Sequence, residues 1–202
     1  MTLLQPTFFS PIIQYIATLQ ASELMFEIED NFQKQTYRNR CYINTSNGKQ
    51  LINVPVQHSK NIKIKTKDVK IDYKDDWHKH FLKTLKTAYN SSPFFEFYID
   101  DLLPIINKKY NFLLDLNFSC HNFVMEALQL DIPFSKSMEY EKEFDGNDFR
   151  NLANVSKDPL KLDKYTQVFD TNGFISNLSI LDLIFMEGPS AENYLIKQTL
   201  QI

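Results

Sequence analysis

Two guanidiniums, Arg38 and Arg40, stand two residues apart in the stretch Lys34-Gln35-Thr36-Tyr37-Arg38-Asn39-Arg40-Cys41. Successive side chains of a β-strand alternate faces, so this spacing at the start of a strand points both arginines the same way. A guanidinium is costly to hold against apolar surface without an anionic partner. The pair therefore suits a phosphate, pyrophosphate or carboxylate bound through charge-assisted, partly bidentate hydrogen bonds, with Lys34 supplying a further positive charge. The alternative is an internal ion pair with the acids just upstream, Glu27, Glu29 or Asp30.

A second group of candidates follows at Trp77-His78-Lys79-His80. His80 lies three residues after Trp77 on a helical repeat, where partial burial tunes an imidazole across neutral pH for general acid or base work. The bland reading is a half-buried helix histidine. His78 is expected to face solvent. Tyr89 and Phe94 close the same region, as rings walling a pocket or as core packing. Cys120-His121 has the residue types of a nucleophile and its base, but neighbours on a helix point about 100° apart, and an inert buried thiol is expected. Cys41 borders the arginines yet alternates to the opposite strand face from Arg40. The lysines between Lys60 and Lys70 alternate with Ile and Val, which marks a charge-protected edge strand rather than a nucleic-acid surface.

The elements that must position these groups are legible in outline. Thr2 to Leu4, Ile12 to Leu19 and Leu24 to Glu29 read as a βαβ unit, which implies a parallel strand pair. Arg38 to Asn44 and Gln50 to Val56 flank Asn47-Gly48, a hairpin turn, and Ile62, Ile64, Val69 and Ile71 continue as an edge element. Helical spacing then takes over: Trp77, Phe81, Leu85 and Ala88 with Asp75 or Asp76 as cap, Phe94 to Leu103 after Pro93, and Leu113, Leu116, Cys120, Phe123, Val124, Ala127 and Leu128 on one face. Pro133 to Lys164 is polar and reads as an ordered loop or flap. Ser179 caps a last apolar helix ended by Gly188-Pro189, with a short helix holding Tyr194 and Leu195 beyond. The expected class is α/β: a mixed sheet opened by βαβ, with an antiparallel hairpin, covered by helices from the C-terminal half. Its cleft should lie at the carboxyl ends of the first strands.

At 202 residues and 43% hydrophobic, the chain is long enough to form one domain over 1–202 that buries about 70% of its unfolded surface. The net charge of -3 offers no global attraction to nucleic acid or anionic membrane, so anion binding has to be local. Four glycines, at 48, 146, 173 and 188, leave no room for a P-loop or GxGxxG fingerprint, and two distant cysteines argue against a disulfide framework or zinc site. No signal peptide and no membrane-length apolar run is apparent, and a cytoplasmic protein is expected. No motif names a cofactor.

Gln5-Pro6, Lys34 through Arg40, Trp77-His78-Lys79-His80 and Ala88-Tyr89-Asn90-Ser91-Ser92-Pro93-Phe94-Phe95 together resemble the WbqC-like protein family of bacterial surface-polysaccharide gene clusters. Asn39-Arg40-Cys41 matches the tripeptide that closes the segment after the second strand in that family. The resemblance covers nearly the whole chain. It implies a surface-polysaccharide pathway, and together with the arginine pair it supports the hypothesis of an acyl- or glycosyl-transferase on an anionic, nucleotide- or CoA-linked donor, with Arg38, Arg40 and Lys34 holding the anion. Asn39 and Gln5 would orient it, Trp77, Tyr89 and Phe94 would line the pocket, and His80 would move the proton, with Lys79 a weaker candidate. Longer members open with His-Gln-Pro, where this chain has Leu4-Gln5-Pro6, and leucine cannot transfer a proton. That departure marks a shorter branch, whose own pattern includes Asn53-Val54-Pro55-Val56 and Leu178-Ser179-Ile180-Leu181-Asp182-Leu183. It also favours the rival reading, a non-catalytic ligand-binding or accessory protein of the same pathway.

Overall fold

Four short strands, β1 (Thr2–Leu4), β2 (Leu24–Phe26), β5 (Phe134–Lys136) and β6 (Asn147–Asp148), run parallel in the order β5-β2-β1-β6. The computed structural model describes residues 1–57, 63–155 and 161–200. Strand β1 (Thr2–Leu4) leads through helix α1 (Ile12–Leu19) to β2 (Leu24–Phe26), with Leu3 opposite Met25, so the βαβ opening is present. Strand β5 (Phe134–Lys136) extends the sheet beyond β2, and β6 (Asn147–Asp148) is added on the far side of β1. The chain builds outward from β1 in one direction and then returns to its other side, which makes the β1/β6 boundary the topological switch point.

The hairpin is β3 (Arg40–Thr45) and β4 (Gly48–Asn53), antiparallel, turned by Gly48 at φ +88°. It forms a separate two-stranded sheet. Helices α2 (Trp77–Tyr89), α3 (Phe95–Asn107), α4 (Leu113–Ala127), α5 (Ile180–Glu187) and α6 (Ala191–Lys197) supply the cover. The class expected from the sequence, an α/β fold with a βαβ opening, a hairpin and C-terminal helices, is therefore the observed one. Among the described residues no helix is long and apolar enough to cross a membrane.

The apolar repeats bury the faces they mark. Trp77, Phe81, Leu85 and Ala88 of α2 are buried, as are Leu113, Leu116, Cys120, Phe123 and Val124 of α4. Between β1 and α1 the chain is a loop buried over its whole length, and its rings fill the centre. Phe9, at φ +39°, stacks on Phe81 at 5.6 Å and meets Phe123 edge-on, while Phe8 packs on Phe81 and Trp77. Helix α1 is buried on all sides from Ile12 to Thr18, the signature of a helix between layers.

Three local expectations are corrected. The second strand ends at Phe26 rather than Glu29, because Glu27 turns its carboxylate inward and Ser137 holds it there. The hairpin's first strand begins at Arg40, so Arg38 and Asn39 lie in the preceding turn and the argument that Arg38 and Arg40 share a strand face fails. The expected edge element at Ile64 to Ile71 is a 3-10 turn (Thr66–Asp68) with single bridges, Asn31 to Lys65, Val56 to Ile71 and Lys70 to Phe112. Its alternation arises from serving several partners in turn; Lys60 and Ile62 lie outside the described residues. The polar stretch from Pro133 contributes β5 and β6, strands too short for alternation to reveal.

A buried polar centre ties the last third of the chain to the core. Asp182, fully buried, accepts hydrogen bonds from the hydroxyls of Tyr89 and Tyr165, both at 2.6 Å, and from Gln167. Burial pushes its carboxyl pKa up, against the pull of those donors.

His121 sits in an aromatic setting, stacked with Tyr15 at 5.9 Å and edge-on to Phe26 and Phe134. Its Nε2 has no hydrogen-bond partner, and burial lowers its pKa from 6.5 to about 4. The folded state thus holds the neutral ring while the unfolded chain protonates at its ordinary pKa. The contribution is whole above pH 6.5 and is lost as pH falls toward about 4, a change on the order of 3 kcal/mol at 1.36 kcal/mol per unit. Replacing His121 by Phe should remove that part of the pH dependence, measured as the wild-type-minus-variant difference in urea unfolding free energy from pH 7 to pH 4. A constant difference would show that His121 does not titrate on unfolding.

Candidate functional site

The carboxyl ends of the parallel strands open into a cleft of about 680 Å³ at the switch point. Three of the four strands deliver the residues at or just beyond their ends there. Gln5 follows β1; Glu29 and Asp30 follow β2; Asp148 ends β6 and Arg150 comes two residues later, with Arg38, Lys65 and Tyr140 completing the wall. Open α/β sheets bind ligands at this place because strand ends and diverging connections leave a crevice that no element fills.

The cleft's charges are arranged in linked pairs. Asp30 is 6% exposed; its Oδ2 accepts from Arg38 Nη2 at 2.8 Å and from Gln5 Nε2 at 3.1 Å, and its Oδ1 from Thr66 Oγ1 at 2.5 Å. Burial lowers the pKa of Arg38 and the nearby Asp30 carboxylate opposes that shift. Glu27 is 1% exposed; its Oε1 accepts from Ser137 Oγ and the Glu29 amide, and its Oε2 faces Arg150 Nη1 at 3.5 Å. Arg150 grips Asp148 with two bonds, Nε to Oδ1 at 2.9 Å and Nη2 to Oδ2 at 2.5 Å, and donates to the Glu141 carbonyl at 2.7 Å. That pairing holds the Asp148 carboxyl below the ordinary range and raises the Arg150 guanidinium. Lys65 and Lys67 both bind Glu29, whose pKa they lower.

Two chemical possibilities are closed by geometry. The first amides of α1, where a doubly wound fold would place a phosphate, are already used: Ile12 N donates to the Leu178 carbonyl and Ile13 N to Asn177 Oδ1 at 2.9 Å. Cys41 and Cys120 are wholly enclosed and burial raises both thiol pKa values, so neither is poised as a thiolate. Among the described residues no group of three or more His, Cys, Asp or Glu could hold a metal ion.

The residues singled out in the sequence are distributed among separate places. Gln5 and Arg38 line the cleft, Arg38 in the internal pair with Asp30. Lys34, Asn39 and Arg40 line a second hollow of about 380 Å³ with Asn53 and Asp72. Neighbours in the chain alternate between the two: Asn31 and Gln33 face the cleft, Phe32 and Lys34 the hollow, so this segment is the wall between them. Trp77 and His80 border a third depression against β4, where His80 is exposed. Lys79 is exposed and paired with Asp76. Tyr89 is fully buried and hydrogen-bonded to Asp182, and Phe94 is half-buried against Gly188.

Sequence reasoning did not select Arg150, Asp148 or Tyr140, which lie in the stretch read as a flap. The available signal was the Asp-x-Arg spacing of 148 and 150, too common to stand out. Glu27 and Asp30 were weighed as internal partners for the arginines, and Asp30 is that partner for Arg38. Removing the Asp30 carboxylate leaves a guanidinium only 3% exposed without its counter-charge. Asp30→Ala should therefore cost about 3–5 kcal/mol in urea unfolding, whereas Asp148→Ala, at a pair with more exposure, should cost under about 1.5. Equal losses would remove Asp30 from its central position.

The comparisons with known proteins agree with the family resemblance of the sequence motifs. Residues 5–159 match the model of the WbqC-like protein family. The chain is 30% identical over 203 residues to the uncharacterized protein Rv1507c of Mycobacterium tuberculosis, an alignment covering 84% of this chain and 87% of that protein. No solved structure gives a significant match. With most of its length under the family model and a relative aligned nearly end to end, this chain belongs to the WbqC-like protein family.

Proposed function

We propose that the chain is a transferase-type enzyme of bacterial surface-polysaccharide biosynthesis that takes an anionic, activated donor, nucleotide- or CoA-linked, into the switch-point cleft. The pathway is what the family resemblance implies, and the anionic donor class rests on the arginines. The observation that carries the reading is Arg150. It is the arginine at the cleft with the greater side-chain exposure, 13% against 3% for Arg38, and its contacts to Glu27 and the Lys142 carbonyl, at 3.5 and 3.4 Å, are long enough to exchange for a ligand.

An anion entering the cleft competes with Asp148 for Arg150. As the guanidinium turns to the ligand, Asp148 loses the partner that depresses its pKa and becomes a stronger base for an acceptor hydroxyl. Asp148 is 35% exposed on its side chain and can reach that proton, while Glu27 is sealed behind it. Gln5, whose Oε1 is unpartnered, orients the donor from the end of β1. His80 borders another depression and takes no part in this scheme.

A second reading is binding without turnover, as an accessory protein. It is favoured by the pairing of every ionised group at the cleft, which leaves no free base in the unliganded state.

UDP-glucose and acetyl-CoA serve as probes in thermal unfolding. At 100 times its dissociation constant a bound donor stabilises by about 2.7 kcal/mol, roughly 5–10 °C for a chain of this size. Arg150→Gln should abolish that shift. Asp148→Asn should keep it while lowering transfer to an acceptor sugar by about 100-fold, within the range for removing a general base. A shift with no transfer in the wild type would favour the accessory reading, and no shift with any activated anion would sink the donor site.

A further inference from the structure

The hollow on the other side of the 31–34 wall has the features of a binding site in its own right. Asn39 is 7% exposed, and both hydrogens of its amide are committed, to Asn53 Oδ1 and the Val54 carbonyl at 2.9 Å each. Those bonds fix the amide's orientation and leave Oδ1 as a buried acceptor without a partner. The next residue, Arg40, opposes Asn53 in the hairpin register, and its Nε is likewise buried and unpartnered. An unmet buried acceptor or donor costs about 1–3 kcal/mol, so two on adjacent residues that line one hollow favour an occupant, water or ligand, that supplies both functions.

The charges describe that ligand. Lys34 and Arg40 have no ion-pair partner among the described residues, in contrast to the cations of the cleft. Asp72 lines the same hollow, is 25% exposed on its side chain, and has the exposed Lys74 as a loose ion-pair partner at 3.8 Å. We infer that this hollow binds a small carboxylate bearing a hydrogen-bond donor on the adjacent carbon, an α-amino or α-hydroxy acid. Its carboxylate pairs with Arg40 and Lys34, and its ammonium or hydroxyl donates to Asn39 Oδ1. An ammonium is further favoured by Asp72. The volume of about 380 Å³ is at the small end of ligand sites and suits a molecule of this size. The site is separate from the cleft and does not depend on the transfer reading.

L-Alanine, lactate and propionate, three acids of nearly equal size, separate the functions. Titrated into the full chain and followed by amide chemical shifts, L-alanine or lactate should perturb residues 34–40 and 53, with propionate at least about tenfold weaker, the equivalent of one lost hydrogen bond at 1.4 kcal/mol. Arg40→Gln and, at an exposed position, Lys34→Gln should each weaken binding by about tenfold. Asp72→Asn should weaken L-alanine and spare lactate. Arg150→Gln should leave this binding unchanged, so failure at the cleft and failure here are distinguishable. Propionate binding as tightly as the other two would overturn the proposal, as would the absence of any perturbation with all three acids.

Discussion

One carboxylate, Asp30, meets three parts of the chain that are remote in sequence. Its two oxygens receive Gln5 from the end of β1, Arg38 from the turn before the hairpin, and Thr66 from the 3-10 turn that follows it, while its own carbonyl accepts the Thr66 amide. A buried charge tolerates no half-satisfied environment, since removing one partner leaves the other uncompensated in a medium of low dielectric. The strand ends, the turn and the hairpin's flank are thereby held in one arrangement. The cleft's floor is that arrangement seen from solvent.

The same constraint divides the surface in two. With Asp30 fixing Arg38 on one side, the residues that follow it face the other, and the 31–34 segment becomes a partition. On the cleft side every cation has a carboxylate, giving a balanced lining in which a ligand must displace an existing bond. On the far side Lys34 and Arg40 stand without such partners among the described residues, and Asn39 presents an acceptor. Charge that is neutralised internally serves structure first; charge left over is available for recognition.

The sealing of α1 gives this βαβ unit a different character from a phosphate-binding one. Asn177, at φ +55°, accepts the Ile13 amide with its side chain, the Leu178 carbonyl takes the Ile12 amide, and Ser179 then caps α5 while donating to the Phe9 carbonyl. The C-terminal segment thus occupies the position where a doubly wound sheet would hold a pyrophosphate. At the cleft the groups left facing solvent are side chains, Arg150 and Gln5 among them.

Much of the framework was determined by the amino-acid sequence alone, because it is encoded by local repeat and local turn chemistry. The α2 and α4 stripes, the Ser179 cap and the Asn47-Gly48 turn all depend on residues within a few positions of one another. The inert Cys120 thiol followed from the same periodicity, whereas the burial of His121 did not. Strands β5 and β6 did not, since three- and two-residue strands carry no period and are defined by backbone pairing with distant partners. Nor did the separation of Arg38 from Arg40: whether two residues share a face depends on where the strand begins, and that was decided by Asp30 holding Arg38 in the turn. Only the tertiary structure brought Asp148 and Arg150 to the strand ends opposite Gln5 and Glu29, because the contact joins residues more than a hundred positions apart, a distance over which no local pattern carries information.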